Sequence, residues 1–544
     1  MILPLDEAVR RFVRPGMALH LGYGGGRPNA AVAEIIRRYH GTSPGFTVSA
    51  HGLVNTQHAL VEAGLVRHLV VAYAGENYPS PRPNPALQRA IRDGRVTIEN
   101  WSLWTLTARL VAGALGVDGY PTRSLAGSGM AAEHDGTAFQ TRKGFERAEN
   151  MVKAYRPDLT LIHGLAADEA GNVLLPPPYG EGAWGSLAAR DGVVACVERI
   201  VDADTIRRHN TMPMIPAHAV RAVCVTPFGS HPYGLDTTGF DELDGYGEDD
   251  AFMASVRSAA REPETFRAWI DEWIVAPGSH DGFLAKLRER APRDAPAPVA
   301  ARTGPASDDE RMTLAAVRVL RDRIASAGHR IVLSGIGFAH LAAWTAARPL
   351  QDRGEPVSLA AELGMFGFRP QPGDPYLFAR RNMPTCLQLT DVMAVLGRDV
   401  SGPAASSLAV LGAGELDRHG NINSTWSASG DFVVGSGGAN DVATAADEVV
   451  VVIRHGRERL LDRVGYVTAP GDRVSTVVTS KAVLERRDGE FVATRLLGDA
   501  DAESVRADTG WDLPIAPDVT REPDPAAEDL AVLRSFDPAG VFLR

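Results

Sequence analysis

Glu362 closes an apolar run, Pro356-Val357-Ser358-Leu359-Ala360-Ala361, and glycines follow at 364 and 367. Such a run, without alternation, reads as a strand buried on both faces of a parallel sheet. Ligands gather at the carboxyl ends of strands in open α/β sheets, so this carboxylate stands where chemistry is expected. Glu99, in Ile98-Glu99-Asn100-Trp101-Ser102, is a second carboxylate at a strand end. It reads equally well as an acid favoured by the dipole in the first turn of the next helix. Gly435-Ser436-Gly437-Gly438-Ala439-Asn440-Asp441 opens an Ala-rich helix. Glycines admit close approach, and free N–H groups at a helix start can hold a carbonyl oxygen as it becomes an oxyanion. The same stretch also reads as a plain strand-to-helix turn. Arg123 and Ser124, in Pro121-Thr122-Arg123-Ser124, suit a substrate carboxylate or the packing of a turn in equal measure.

The elements that must position these groups are short strands alternating with helices. Ala18–Leu21 is a strand running into Gly22-Tyr23-Gly24-Gly25-Gly26-Arg27-Pro28, and a helix with Ala31, Val32, Ile35 and Ile36 at helical spacing follows. Further strands are read at 46–50, 69–72, 96–99, 159–163 and 193–197, with a helix from Leu103 to Leu115. This alternation predicts an α/β fold with a largely parallel sheet. Residues 291–309 are rich in Pro, Ala, Gly and Ser and lack periodicity, so they read as a linker. After it the pattern restarts. Gly22-x-Gly24 matches Gly335-x-Gly337, the strand end at His51-Gly52 matches Glu362-Leu363-Gly364, and Asp168-x-x-Gly171-Asn172 matches Asp417-x-x-Gly420-Asn421. Each D-x-x-G-N precedes an Ala-rich helix and a Val-rich strand. The expected organisation is two related open α/β domains in tandem, 1–290 and 310–544, with a strand-end Glu at this position only in the second.

Composition narrows the function. The formal net charge is -11 with no Lys/Arg-rich run, which argues against a nucleic-acid partner. No Cys/His/Asp spacing of a metal site is present, and the three cysteines read as buried, reduced thiols. The first residues lack a signal-peptide pattern and no apolar run is long enough for a membrane span, so a cytoplasmic protein is expected. Neither Gly-x-Gly turn is a dinucleotide fingerprint, because Arg27 and His340 stand where the third glycine should fall.

Taken together, the motifs resemble family I coenzyme A transferases, with α and β subunits joined in one polypeptide and the glutaconate CoA-transferase branch closest. Gly22 to Pro28, Asp168 to Asn172, the strand ending at Glu198 and Pro227-Phe228-Gly229-Ser230-His231-Pro232 are similar to α subunits. Leu416 to Thr425 and Gly435 to Asp441 are similar to β subunits. The resemblance implies a nucleophilic glutamate, which falls on Glu362 in Ala361-Glu362-Leu363-Gly364, although the family's flanking Ser and Asn are absent. It implies attack on an acyl-CoA thioester, a glutamyl-CoA thioester intermediate and ping-pong kinetics, with CoA as substrate and no permanently bound cofactor. Gly24, Gly25, Gly364, Gly437, Gly438 and Asn440 become the candidates for oxyanion donation and CoA approach. The expected partners are an acyl-CoA and a small carboxylic acid, and a homodimer or higher oligomer of the fused chain remains open. Two other readings stand beside transfer. One is a hydrolase, of CoA thioesters or of ring-opening cyclic diketone acyl-CoAs, using Glu99; the other is a non-catalytic acyl-CoA-binding protein.

Overall fold

The computed structural model describes residues 1–142, 150–290 and 302–543. Its frame is two mixed sheets, one of nine strands and one of ten. In the first half, β1 (Ala18–Leu21) leads through α1 (Asn29–Tyr39) to β2 (Phe46–Val54) and on to β3 (Val66–Gly75) and β4 (Thr97–Asn100). After α2 (Leu103–Leu115) come β5 (Leu159–Asp168), α3 (Gly182–Ala188), β6 (Val193–Val201) and β7 (Val220–Val225). The order β4-β3-β2-β1-β5-β6-β7 is parallel throughout, which requires the helical crossovers that the sequence pattern supplies.

The second half opens with α4 (Asp308–Ala327), β8 (Ile331–Ser334), α5 (Phe338–Asp352) and β9 (Ser358–Ala361). It continues with β10 (Met365–Phe368), β11 (Ser407–Gly412), α6 (Ala439–Ala445), β12 (Glu448–Ile453) and β13 (Val474–Thr479). Helix α4 begins inside the stretch read as linker. Its start is a capping box, Ser307 accepting from the Glu310 N–H while Glu310 accepts from the Ser307 N–H. Residues 291–301 of that stretch lie outside the described residues.

The repeat is visible in the strand order. β2-β1-β5-β6-β7 and β9-β8-β11-β12-β13 are the same parallel sequence of strands. The ladders also set the register: the N–H groups of Gly22 and Gly335 both donate to the strand on their other side, at Leu161 and Val410. His51 and Glu362 therefore occupy equivalent places. Both D-x-x-G-N segments fold alike, with Asp168 and Asp417 each accepting from two backbone N–H groups of its own segment and from the Asn side chain, and Asp417 also from the Val464 N–H. The halves part company beyond β2 and β9. β3 and β4 extend the first sheet in parallel, whereas β10 turns straight back antiparallel to β9.

The core strands carry apolar side chains on both faces. All four central residues of β12, Val449 to Val452, are at most 2% exposed. Cys196 and Cys224 face each other across β6 and β7 as buried free thiols, and Cys386 is partly buried. No described helix is long and apolar enough to cross a membrane.

The hairpin from β9 to β10 depends on Gly364, whose φ is +123° and whose missing side chain leaves room for the Thr390 carbonyl. Gly364→Ala is expected to lower stability by more than ~2 kcal/mol, read as a urea-midpoint shift, because the new Cβ meets backbone and the φ is strained. Gly247→Ala, with open space around it and no positive φ, is expected to be close to neutral.

Candidate functional site

Glu362 is the first residue past β9. The turn behind it is held from two directions. The Gly364 N–H donates to the Ala361 carbonyl (3.1 Å), and the Gly364 carbonyl accepts from Thr390 (2.7 Å). From the first half, Gly180 donates to the Leu363 carbonyl (3.0 Å) and Tyr179 to the Thr390 carbonyl (2.9 Å). The glutamate is thus presented by a short rigid hairpin clamped against the other half.

The glycine-rich loop reaches the same place by pairing with an open edge of the first sheet. The Gly437 N–H donates to the Ala72 carbonyl (2.9 Å), Ala74 donates to Val434 (2.9 Å), and Leu103 donates to the Gly437 carbonyl (2.9 Å). Asp441, 3% exposed, accepts from the Ser102 hydroxyl (2.5 Å) and the Trp104 N–H (2.9 Å) at the start of α2. The carboxylate of one half therefore caps a helix of the other, satisfying donors that a helix start otherwise leaves orphaned.

Between hairpin and loop lies a cleft of about 550 Å³ whose walls include Tyr73, Arg82, Phe338, Glu362, Gly437 and Gly438. Gly438 sits directly against Glu362: a Cβ added there would collide with the carboxylate. Burial raises the Glu362 carboxyl to about 7, the Asp441 charge adds to the rise, and the Gly438 N–H draws it partly back. Burial likewise raises Asp441 to about 6 against its hydrogen bonds from Ser102, Trp104 and Ser124. A desolvated carboxylate near neutrality, facing a glycine N–H in a cleft, is equipped to act as a nucleophile at physiological pH.

The other sequence candidates fall in several places. Of the six residues read as oxyanion or CoA contacts, Gly437 and Gly438 line this cleft. The Gly437 N–H is spent on Ala72, which leaves Gly438 as the donor aimed at Glu362. The Gly364 N–H closes its own turn. Asn440 is fully buried, its side chain accepting from the Leu125 N–H and donating to the Thr468 carbonyl. Gly24 and Gly25 pack against residues 175–179 and are not among the residues lining the cleft. Arg123 donates to the Ser401 carbonyl (2.7 Å), a tie between the halves, while Ser124 hydrogen-bonds Asp441.

Glu99 is at a different location, on the outer strand β4. Its carboxylate accepts from the Trp101 indole (2.6 Å) and Arg109 (2.9 Å) and lies 3.3 Å from His68 Nε2. Burial alone would raise it, but His68, Arg109 and Trp101 hold it down at about 2. Sequence reasoning reaches Asp441 only as part of its loop and misses its effect on Glu362. It also misses Arg82, Arg454 and Arg459, which line the cleft and have no motif to mark them.

The model of the coenzyme A transferase family matches residues 2–226. One of the two subunits of the 3-oxoadipate CoA-transferase of Pseudomonas knackmussii is 33% identical over 293 residues, covering 53% of this chain and 98% of that protein. One of the two subunits of the glutaconate CoA-transferase of Acidaminococcus fermentans is 29% identical over 162 residues, covering 25% of this chain and 59% of its own length. An acyl-CoA transferase of Escherichia coli O157:H7, solved as a thioester complex with CoA, shares the fold over 98% of this chain and 96% of its own, with a TM-score of 0.69 at 15% identity.

A carboxyl raised from 4.5 to about 7 opposes folding once it must ionise. The unfolded chain releases this proton near 4.5 and the folded one near 7, so stability falls as pH climbs between those values. Glu362→Gln removes the burden. It is expected to melt at a higher temperature than the parent at pH 8, by ~1–3 kcal/mol of stability, with the gain vanishing at pH 4.5. Equal melting curves at pH 8 would contradict the assigned environment.

Proposed function

The chain belongs to the coenzyme A transferase family, and we propose that it moves CoA from an acyl-CoA to a carboxylic acid through a covalent intermediate on Glu362. The observation that carries this reading is the meeting of a partly buried, weakly acidic glutamate with the Gly438 N–H at the wall of a cleft large enough for a thioester. This one polypeptide matches both subunits of the 3-oxoadipate enzyme and both subunits of the glutaconate enzyme, which supports a fused enzyme with its site at the junction.

In the first step a Glu362 oxygen attacks the thioester carbonyl carbon, the C–S bond breaks, and CoA leaves as its thiolate. The product is a mixed anhydride between the acyl group and Glu362. The thiolate then attacks the glutamyl carbonyl, releasing the free acid and leaving a glutamyl-CoA thioester. An incoming carboxylate reverses both steps with its own acyl group. Each step exchanges one activated acyl bond for another, so no stage is a deep energetic trap. The Gly438 N–H beside the Glu362 carboxylate supports a role as donor to the glutamyl oxyanion that forms when the CoA thiolate or the incoming carboxylate attacks the glutamyl carbonyl. Arg82, Arg454 and Arg459 line the cleft; Arg454 is already paired with Asp309 through two hydrogen bonds, so Arg82 and Arg459 are the cations offered to the phosphates of CoA. The substrates of the relatives, 3-oxoadipate and glutaconate, make short dicarboxylic acids the first to assay.

Nothing in the geometry favours hydrolysis by Glu99. A carboxyl held at about 2 by three donors is a poor base for activating water at neutral pH.

Two experiments test the reading. Incubation with substrate acyl-CoA followed by borohydride is expected to inactivate the enzyme and to leave a reduced glutamyl residue at position 362, found by peptide mass. Full activity after that treatment, with the peptide unmodified, would remove the covalent route. The acid limb of kcat/KM for the acyl-CoA is expected to rise through about 7, since only the carboxylate attacks. In Asp441→Asn the like charge is gone, so that limb is expected to move to lower pH.

A further inference from the structure

Arg27 stands where the third glycine of a dinucleotide fingerprint would fall, just before α1. It is 9% exposed. Its guanidinium lies between two rings, 4.9 Å from the centroid of Tyr23 and 4.7 Å from that of Tyr233. Nη1 donates to the Gly52 carbonyl (3.1 Å), while Nε is buried without a hydrogen-bond partner. No carboxylate of a described residue lies within ion-pair distance. Glu76, whose charge also reaches Tyr233, is committed to the side chains of Asn55 (2.9 Å) and Asn84 (2.8 Å).

A buried guanidinium without a counter-charge is costly to maintain, and its planar fork matches a carboxylate better than any neutral group. Arg27 is not itself among the residues lining the cleft, and its place relative to it is read from the strands. Gly52 pairs with Tyr73 in the β2–β3 ladder, and Tyr73, which lines the cleft, bridges to Gly435 on its other side. Two inter-strand spacings put the Gly52 carbonyl roughly 10 Å from the glycine loop. On the opposite flank the Tyr23 ring packs against Gly180, whose N–H holds Leu363 beside Glu362. A five- or six-carbon chain spans roughly 5–6 Å between its carboxyl carbons. A guanidinium contact of about 2.8 Å covers most of the remainder.

We propose that Arg27 is the specificity-determining residue for the acid: it receives the second, non-reacting carboxylate of a short dicarboxylic substrate whose other end reacts at Glu362. This rests on the transferase reading above. Tyr23 and Tyr233 flank the guanidinium and shield it from water, and the Tyr233 hydroxyl is itself held by Asn77 (2.7 Å). A monocarboxylic acid of the same length would leave the charge unanswered, which is the kind of mismatch that a buried polar site rejects strongly.

The test compares glutarate with pentanoate, equal in carbon count and differing in one carboxylate. In the unaltered enzyme kcat/KM is expected to favour glutarate by about 100-fold or more. In Arg27→Met that preference is expected to collapse to near unity by loss on glutarate alone, with Arg27→Lys recovering part of it. The borohydride adduct on Glu362 should still form from pentanoyl-CoA in Arg27→Met, which shows the variant folded and reactive. No preference for glutarate in the unaltered enzyme, or an equal loss on both acids in Arg27→Met and Arg27→Lys alike, would overturn the assignment. Absence of any Glu362 adduct from either thioester in the unaltered enzyme would instead take down the transferase reading, and this inference with it.

Discussion

The β3–β4 ladder stops at Val71 and Asn100, and everything at the site follows from that early stop. Beyond it Ala72 and Ala74 still present a carbonyl and an N–H at the centre of the molecule, where neither can be left unpaired without a cost of ~1–3 kcal/mol. The loop 434–437 of the other half takes both. That pairing fixes Gly438 beside Glu362 and carries Asp441 into the start of α2. The setting of Glu362 is thus a by-product of finishing a sheet edge across two halves of the chain.

The internal repeat gives this arrangement a built-in comparison. In each half a strand-end residue faces the residue just ahead of a seven-residue helix, Glu181 before α3 and Gly438 before α6. In the first half His51 Nδ1 lies 2.8 Å from Glu181, and His20 Nε2 lies 3.4 Å from its other oxygen. Burial would raise Glu181, but the two histidines hold it down at about 2. In the second half the carboxylate has moved to the strand and the residue ahead of the helix has become glycine. Among the described residues no cation pairs with it there, and its pKa goes up instead of down. The same scaffold therefore holds one carboxyl pulled down and one pushed up, and the difference is which of two facing positions bears the acid.

Much of this is legible in the sequence because it depends on local signals. Ala18–Leu21 and Leu103–Leu115 fall where the patterning predicts them, since apolar periodicity and turn residues agree there. The repeated D-x-x-G-N can be matched because in each copy the Asp carboxylate holds the Asn N–H and side chain four residues on. What depends on distant parts of the chain is not legible. Asn440 and Gly437 resemble ligand contacts in a glycine-rich string, and only the edge of β3 and the neighbourhood of Leu125 show that their polar groups are already committed. The helices at 250–289, whose Phe252, Phe266 and Trp269 cover the first core, do not figure in the strand-and-turn pattern. The Ser307–Glu310 capping box is a local signal too, and it ends the linker sooner than composition alone suggests.

The open edge of β3 also has a meaning in time. During synthesis Ala72 and Ala74 leave the ribosome more than 300 residues ahead of Gly437. At about 5–20 residues per second, the edge waits roughly 20–70 s for the strand that completes it. Glu362 is itself made 75 residues before Gly437; until the two halves dock, it has neither its dry wall nor the neighbouring Asp441 charge. An unfinished or misdocked chain therefore carries at position 362 a glutamate without the burial and the like charge that raise its carboxyl. The weakly acidic carboxyl arrives with the last long-range contact, so assembly itself sets the protonation of Glu362.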